Sequence, residues 1–374
     1  MKKILCGILL TMFTLTASGC QLFIPKNYRA KTDTSTISPS TPDPEESETP
    51  FEIPNSSDSE PDEAGTAYKI EDYYPFLADT VYTYEGMGSE FAANTLSVDY
   101  IKGNKIQQRI KNSGTELVRI IEKVNGELKI IFSREECYYR EDLTSKQPNR
   151  EEILLKEPLV KGNSWTLDAG RKRTITNVNI DVSTPSGNYK ALEVTTEGSN
   201  SKTIDYYVLN KGLVKSVFRS DSLEIISSLK EIETNKPLTQ KINFYYPNNV
   251  SDKLSVIQQE VTFNTNDITK IVLEKQFKNP PSNELIRLMA PKVKINSLYL
   301  NNDGMVYVDF TDNFVTEMNL GSGYEGMVLQ GIANTLGKYY GIKKVYITLD
   351  GKPYSSGHII MEKGEAFNVE LELD

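Results

Sequence analysis

The side chains that could carry chemistry in this sequence are few, and only the carboxylates could act in pairs. The chain has one histidine, His358. Zinc sites built from several histidines are therefore excluded, and a hydrolytic triad would have to use this residue. Asp309, Asp312 and Glu325 could converge near the start of one helix, and paired carboxylates can cleave glycosidic bonds. We nevertheless expect no enzyme, because aspartates at a strand end often turn the chain and Glu325 fits a helix-capping role.

The sequence has no feature typical of a protein that binds a cofactor or nucleic acid. We find no phosphate-binding glycine loop, no dinucleotide fingerprint and no metalloprotease motif, so no cofactor or metal is expected. The formal net charge of −9 argues against nucleic acid, which requires a basic surface. Of the three cysteines, Cys6 and Cys20 belong to the leader discussed next, which leaves Cys137 alone and without a disulfide partner.

The first residues have the pattern of a bacterial lipoprotein leader. Lys2 and Lys3 precede an apolar run, and Cys20 follows in a lipobox-like Ala-Ser-Gly-Cys sequence. We predict a signal peptide over residues 1–19 and lipidation of Cys20. The alternative is an uncleaved membrane anchor, but a run of about a dozen apolar residues is shorter than the ~20 that span a bilayer. Several acyl chains would hold the protein stably on the outer face of the cytoplasmic membrane.

Residues 20–67 combine the lipidated cysteine with a tract rich in Pro, Ser, Thr and acidic residues. Such a composition buries too little apolar surface to offset the entropy of ordering, which predicts a disordered linker. Residues 68–235 follow as short β-runs separated by turns, typical of an antiparallel β-rich domain. Asn125-Gly126 is the clearest hairpin signal there. The aromatic residues of this domain could alternatively line a groove that binds glycan or lipid.

A capped amphipathic helix is the strongest local pattern of the last domain, residues 240–374. Ser322 fits an N-cap, and Glu325 three residues later completes a capping box. Residues at three- and four-residue spacing form one apolar stripe: Val328, Leu329, Ile332, Ala333 and Leu336.

The segment after this helix reads as a stop, a strand and a turn. Gly341 can adopt the left-handed conformation that ends a helix. Val345 opens an alternating strand over residues 345–349, which predicts burial of one face. Asp350-Gly351 is a turn signal.

Upstream, the pattern predicts two strands, two helices and a hairpin. The first helix should begin with Asp267 as its cap and face inward with Ile268, Ile271, Val272 and Leu273. The predicted bounds are Lys241–Tyr246 and Ser255–Phe263 for the strands, Asn266–Phe277 and Glu284–Met289 for the helices, and Val293–Leu300 with Met305–Phe310 for the hairpin. A closing strand is predicted at Phe367–Leu373. The predicted fold class is thus α+β, with a β-rich domain followed by a two-helix α/β domain.

A helix, strand and turn signature in this last domain resembles the GerMN domain of sporulation and spore germination proteins. It is carried by Asn334, Thr335, Leu336, Gly341, Val345, Asp350 and Gly351. The resemblance implies a fold of the ring-building kind, in which edge strands and exposed helix faces contact other proteins. The contact face that we expect consists of Tyr339, Tyr340, Lys343 and Lys344.

The resemblance and the leader together imply a lipid-anchored scaffold or assembly protein in the envelope of a spore-forming member of the Bacillota. Its expected partners are envelope or sporulation proteins and peptidoglycan, with no cofactor and no nucleic acid. Two alternatives stay open: a module that binds glycan or lipid, and a carboxylate-dependent cell-wall glycosidase.

Overall fold

Tight turns and alternating strands fold the first part of the chain into one antiparallel sheet. The computed structural model describes residues 68–370. A short helix, α1 (Ile70–Tyr73), precedes twelve strands: β1 (Val81–Met87), β2 (Asn94–Lys102), β3 (Lys105–Asn112), β4 (Glu116–Val124), β5 (Glu127–Arg134), β6 (Glu152–Lys156), β7 (Ser164–Thr166), β8 (Lys172–Thr184), β9 (Gly187–Glu197), β10 (Ser201–Val208), β11 (Gly212–Ser220) and β12 (Leu223–Glu233). Asn125 and Gly126 join β4 to β5 with φ angles of 51° and 69°, which confirms the predicted hairpin.

The twelve strands form two meanders that meet at their ends. The order across the sheet is β6-β5-β4-β3-β2-β1-β12-β11-β10-β9-β8-β7, so β1 pairs with β12 in the middle. The two ends of the sheet, β6 at one end and β7 with β8 at the other, contact each other through side chains. Arg173 on β8 contacts Glu152 on β6 at 2.9 Å, and the Trp165 indole N–H donates to the Ile153 carbonyl at 3.1 Å. The curled sheet therefore encloses a buried apolar cluster that includes Trp165 and Leu155.

The second part of the described chain surrounds one long helix. A two-stranded hairpin is followed by a mixed sheet in which β16 and β17 run parallel. The elements are β13 (Leu238–Asn248), β14 (Lys253–Phe263), α2 (Thr269–Lys278), β15 (Ile295–Leu300), β16 (Val306–Phe310), α3 (Phe314–Met318), α4 (Ser322–Tyr340), β17 (Lys344–Leu349), β18 (Lys352–Pro353) and β19 (Phe367–Asn368).

The predicted apolar stripe of α4 is buried. Its five residues, Val328, Leu329, Ile332, Ala333 and Leu336, are all at most 1% exposed. They belong to a core that also contains Phe244 of β13 and Phe310 of β16, together with Val118 and Ile120 of β4. The apolar core around α4 thus extends into the first sheet, and no break in the core marks the predicted boundary near residues 235–240.

Several predicted elements differ from the structure. Residues 284–289 are not helical, so the second of the two helices predicted upstream of α4 is wrong, and α3 is an additional short helix. Helix α2 begins at Thr269, and the Asp267 carboxylate accepts from the Asn264 backbone N–H instead of capping the helix. In β17, Tyr346 and Thr348 are buried as well as the apolar residues, because this central strand is covered on both faces. Within the described residues, strand β19 (Phe367–Asn368) begins the predicted closing strand and residues 369–370 are not part of it; the rest of that prediction, residues 371–373, lies outside the described residues.

Candidate functional site

The start of helix α4 is built differently from the predicted capping box. Gly321 occupies the N-cap position, no side chain caps the helix, and Ser322 is its first residue. The Glu325 side chain turns away from the helix end and accepts a hydrogen bond from the Tyr354 hydroxyl at 2.7 Å. The predicted box is therefore wrong, because a tyrosine distant in sequence supplies a better donor than the exposed backbone. Burial and the hydrogen bond to Glu325 raise the pKa of Tyr354, so its hydroxyl remains the donor.

The motif residues in the middle of α4 attach the helix to its neighbours. Thr335 accepts a hydrogen bond from the backbone N–H of Tyr245 on β13 at 3.0 Å. Asn334 accepts from the backbone N–H of Glu370 at 2.7 Å, and Leu336 is fully buried. The three residues therefore position the helix between the hairpin and the C-terminal segment, which gives the motif a structural function.

The motif residues after α4 form the predicted stop, strand and turn. Gly341 caps the helix at φ 69°, and Val345 lies buried in β17. Asp350 and Gly351 have φ angles of 43° and 75°, as the predicted tight turn requires. The Asp309 carboxylate secures this turn, since it accepts from the Gly351 N–H at 2.8 Å.

The candidate catalytic carboxylates have separate partners. Asp309 bonds the turn and the Thr348 hydroxyl, Glu325 bonds Tyr354, and Asp312 is exposed. Across residues 68–370 no group of three or more His, Cys, Asp or Glu side chains is arranged to hold a metal ion. The single histidine, His358, is exposed. The geometry gives no support to a pair of cooperating carboxylates at this helix start.

The expected contact face divides into a buried and a partly buried tyrosine and two exposed lysines. Tyr340 is buried and packs on Tyr139 with ring centroids 4.7 Å apart. The Tyr339 hydroxyl accepts from the Arg140 backbone N–H at 2.9 Å and donates to Gln240 at 3.1 Å. Burial raises the pKa of both tyrosines. The prediction of a partner surface is wrong for the tyrosines, because the connection between β5 and β6 packs against both of them.

Lys343 and Lys344 remain on the surface. The cysteine of the described range, Cys137, is buried and free, and burial raises the pKa of its thiol. Cys20, the signal peptide and the linker lie outside the described residues. Within residues 68–370 no helix has the length and apolar character needed to cross a membrane.

Helix α2 presents an apolar outer face that the sequence analysis missed. Ile268, the residue before the helix, and Ile271 are 52% and 55% exposed, against the prediction that both face inward. The buried positions are Thr269, Leu273 and Phe277, spaced by four residues. The i, i+4, i+8 spacing of these three could have identified the true inner face and left the isoleucines outside.

A row of tyrosines crosses the mixed sheet on the face away from α4. Tyr299, Tyr307 and Tyr346 occupy paired positions on β15, β16 and β17. Their ring centroids are 5.6 Å and 5.0 Å apart in that order. Tyr299 is 38% exposed, while Tyr346 is buried and its hydroxyl accepts from the Gly364 N–H. The row therefore opens to solvent at its β15 end.

Comparisons with known proteins give one family match and several structural neighbours. The family model Germane, described as sporulation and spore germination, matches residues 243–355. The first GerMN domain of the sporulation protein GerM from Bacillus subtilis is 19% identical; the alignment covers 35% of this chain and 98% of that one, with a TM-score of 0.28. The tandem GerMN domains of the same protein are 18% identical, with 35% and 46% covered and a TM-score of 0.29.

An exported protein with a YmcC-like fold from Bacteroides fragilis NCTC 9343 is 11% identical, with 43% of this chain and 99% of that one covered and a TM-score of 0.29. No curated protein matches the chain. The family match falls on the helix, strand and turn whose geometry is described above. Residues 243–355 of this chain are accordingly a Germane domain, of the sporulation and spore germination family.

Proposed function

We propose that this protein is a lipid-anchored scaffold of the sporulation or germination envelope, which binds a partner protein through the outer face of helix α2. The Germane match supports the cellular process. The observation that carries the binding role is the exposure of Ile268 and Ile271 side by side on the surface of that domain. Neighbouring exposed apolar side chains can form the centre of a contact surface for another protein.

The chemistry of the α2 face specifies the kind of partner. Lys275 is exposed one turn beyond Ile271, so a basic side chain borders the isoleucines. A complementary surface has an apolar centre with an acidic rim, since opposite charges at the rim speed and orient association. The acyl chains expected on Cys20 would keep the domain near the membrane, and no catalytic step is part of this role.

The binding role can be tested in the source bacterium by complementation of a deletion strain. We expect Ile268→Glu with Ile271→Glu to lower the yield of heat-resistant spores, or their germination, to the level of the deletion. Val178→Glu is the matched control, because Val178 is also an exposed aliphatic residue, 41% exposed, but lies on β8 and not on the α2 face. Full complementation by the double variant, at normal protein level, would contradict the proposal.

The anchor requires its own experiment. Cys20→Ala should move the protein from the membrane fraction to the soluble envelope fraction, and mass spectrometry of the native protein should show an acylated N-terminal cysteine. Recovery of the unacylated chain in the cytosol would disprove the proposed location.

A second candidate function, direct contact with peptidoglycan, is favoured by the tyrosine row. Aromatic rings supply flat apolar surfaces with polar edges, which suit sugar rings. Tyr299→Ala should then weaken sedimentation of the protein with purified cell wall, whereas Tyr138→Ala, at another exposed tyrosine, should not. Equal sedimentation of both variants with wild type would exclude the row as a glycan surface.

A further inference from the structure

A small pocket lies where helix α3, the first turn of α4 and the loop at residues 354–358 meet. Its volume is about 150 Å³. A cavity of about this size can hold a six-carbon ring in a protein interior. The lining combines apolar and aromatic side chains with one carboxylate and the single histidine, and includes Phe314, Val315, Met318, Glu325, Tyr354 and His358.

The carboxylate in this pocket is buried without a cation. Glu325 is 6% exposed, and its described hydrogen-bond partner is the Tyr354 hydroxyl. Within the described chain it has no Lys, Arg or His nitrogen at ion-pair distance, whereas the buried Asp99 and Glu152 each contact an arginine. A buried carboxylate is costly unless hydrogen bonds or opposite charge compensate it. The helix dipole and one hydroxyl supply part of that compensation, and a cation would supply the rest.

We propose that the pocket binds a ligand carrying one ammonium or guanidinium group on a short apolar stem, as in a lysine or arginine side chain. The stem would lie among the apolar lining while the charged end reaches Glu325. The same carboxylate disfavours anionic ligands.

A metal ion fits this pocket less well than an organic cation. Calcium binds six to eight oxygen ligands, and magnesium also requires several. The described residues place no cluster of three or more acidic, histidine or cysteine side chains at this or any other position. One carboxylate in a pocket of this size is instead suited to a single charge-assisted hydrogen bond.

The test measures binding of small probes to the full chain by saturation-transfer NMR and isothermal titration calorimetry. The cationic probes are Nα-acetyl-lysine methylamide, Nα-acetyl-arginine methylamide and butylammonium. The neutral probe is Nα-acetyl-norleucine methylamide. We expect saturable binding of a cationic probe at least about tenfold tighter than that of the neutral probe. Tighter binding of the amino-acid derivatives than of butylammonium would support a protein side chain as the source, and equal binding would support a free amine.

Variants locate the binding in this pocket. Glu325→Gln should weaken binding at least about tenfold, while Glu284→Gln, at an exposed glutamate, should leave it unchanged. Met318→Phe should weaken binding by filling the cavity without altering the carboxylate, which keeps the test valid if Glu325→Gln fails to fold. The proposal is overturned if no cationic probe binds saturably, if norleucine binds equally well, or if both pocket variants bind as wild type does.

Discussion

Arg140 joins the first sheet to the Germane domain, and its removal gives the sharpest test of the described architecture. The side chain is 1% exposed. Its guanidinium donates to the carbonyls of Asp99 at 2.7 Å and Asn264 at 3.0 Å, and also to the carbonyl of Asp267. It lies 4.2 Å from the centre of the Tyr100 ring and donates to that hydroxyl at 2.9 Å. One side chain thus connects β2 with the end of β14 and the start of α2.

The cost of Arg140→Ala follows from the groups left behind. Three carbonyls lose a charged donor, and each buried polar group without a partner costs about 1–3 kcal/mol. Water entering the vacated space recovers part of that cost. We therefore expect a loss of about 3–5 kcal/mol in the free energy of unfolding, the range for breaking a buried charged contact. Arg219→Ala is the matched control, because Arg219 pairs with Glu224 at the surface and should cost less than ~1 kcal/mol.

Urea unfolding monitored by two probes measures both the loss and its location. The single tryptophan, Trp165, reports on the first sheet, and circular dichroism at 222 nm reports on the helices, of which α4 is the longest described. With a slope of ~3 kcal/mol/M, the midpoint of Arg140→Ala should fall by more than about 1 M. The two probes should coincide in wild type and separate in the variant. A variant midpoint within the range of Arg219→Ala would refute the assignment of Arg140 as the joint.

Two further predictions concern helix α4 and the contact between the outer strands. Gly331→Ala should destabilise by about 1–3 kcal/mol, because the added Cβ would lie 2.3 Å from the Tyr245 carbonyl, whereas Gly323→Ala in the same helix meets open space and should be neutral or stabilising in thermal melts. Burial favours a higher pKa for Glu152, but Arg173 and a second arginine outweigh it and hold the pKa below its ordinary value. The stability that the Glu152–Arg173 contact contributes should be complete above the unfolded pKa near 4.3, and it should be lost as the pH falls through the lower folded pKa. An acid-unfolding midpoint of Glu152→Gln equal to that of wild type would contradict this.

Local physics explains which parts of the fold could be predicted from sequence. The stripe of α4, the cap at Gly341 and the turns at Asn125-Gly126 and Asp350-Gly351 depend on residues within one or two turns of each other. Periodicity and the tolerance of asparagine, aspartate and glycine for positive φ are sufficient there. These features are confirmed by the structure.

Two of the incorrect predictions depend on contacts between residues distant in sequence, whereas the inner face of α2 is misassigned from its local pattern. Tyr339 resembles a surface residue at a helix end, but Arg140, 199 positions away, covers it. Glu325 fits a capping box until Tyr354 offers its hydroxyl, and Ile271 reads as a core residue until Leu273 and Phe277 take the inner face. Residue patterns indicate which side chains are apolar enough to be buried. Which of them are buried depends on the element that packs against them.

Arg140, which joins the first sheet to the Germane domain, also holds the residues on either side of Ile268 in the proposed partner surface. Thr269, the first residue of α2, donates its hydroxyl to the Arg140 carbonyl at 2.8 Å, and the Arg140 guanidinium holds the carbonyl of Asp267. Ile268 lies between these two anchors and is exposed. The connection between β5 and β6 of the first sheet therefore fixes the position of the exposed isoleucines, although it contributes none of them. Because a binding surface held in one arrangement loses less entropy on association, the first sheet should strengthen partner binding without touching the partner.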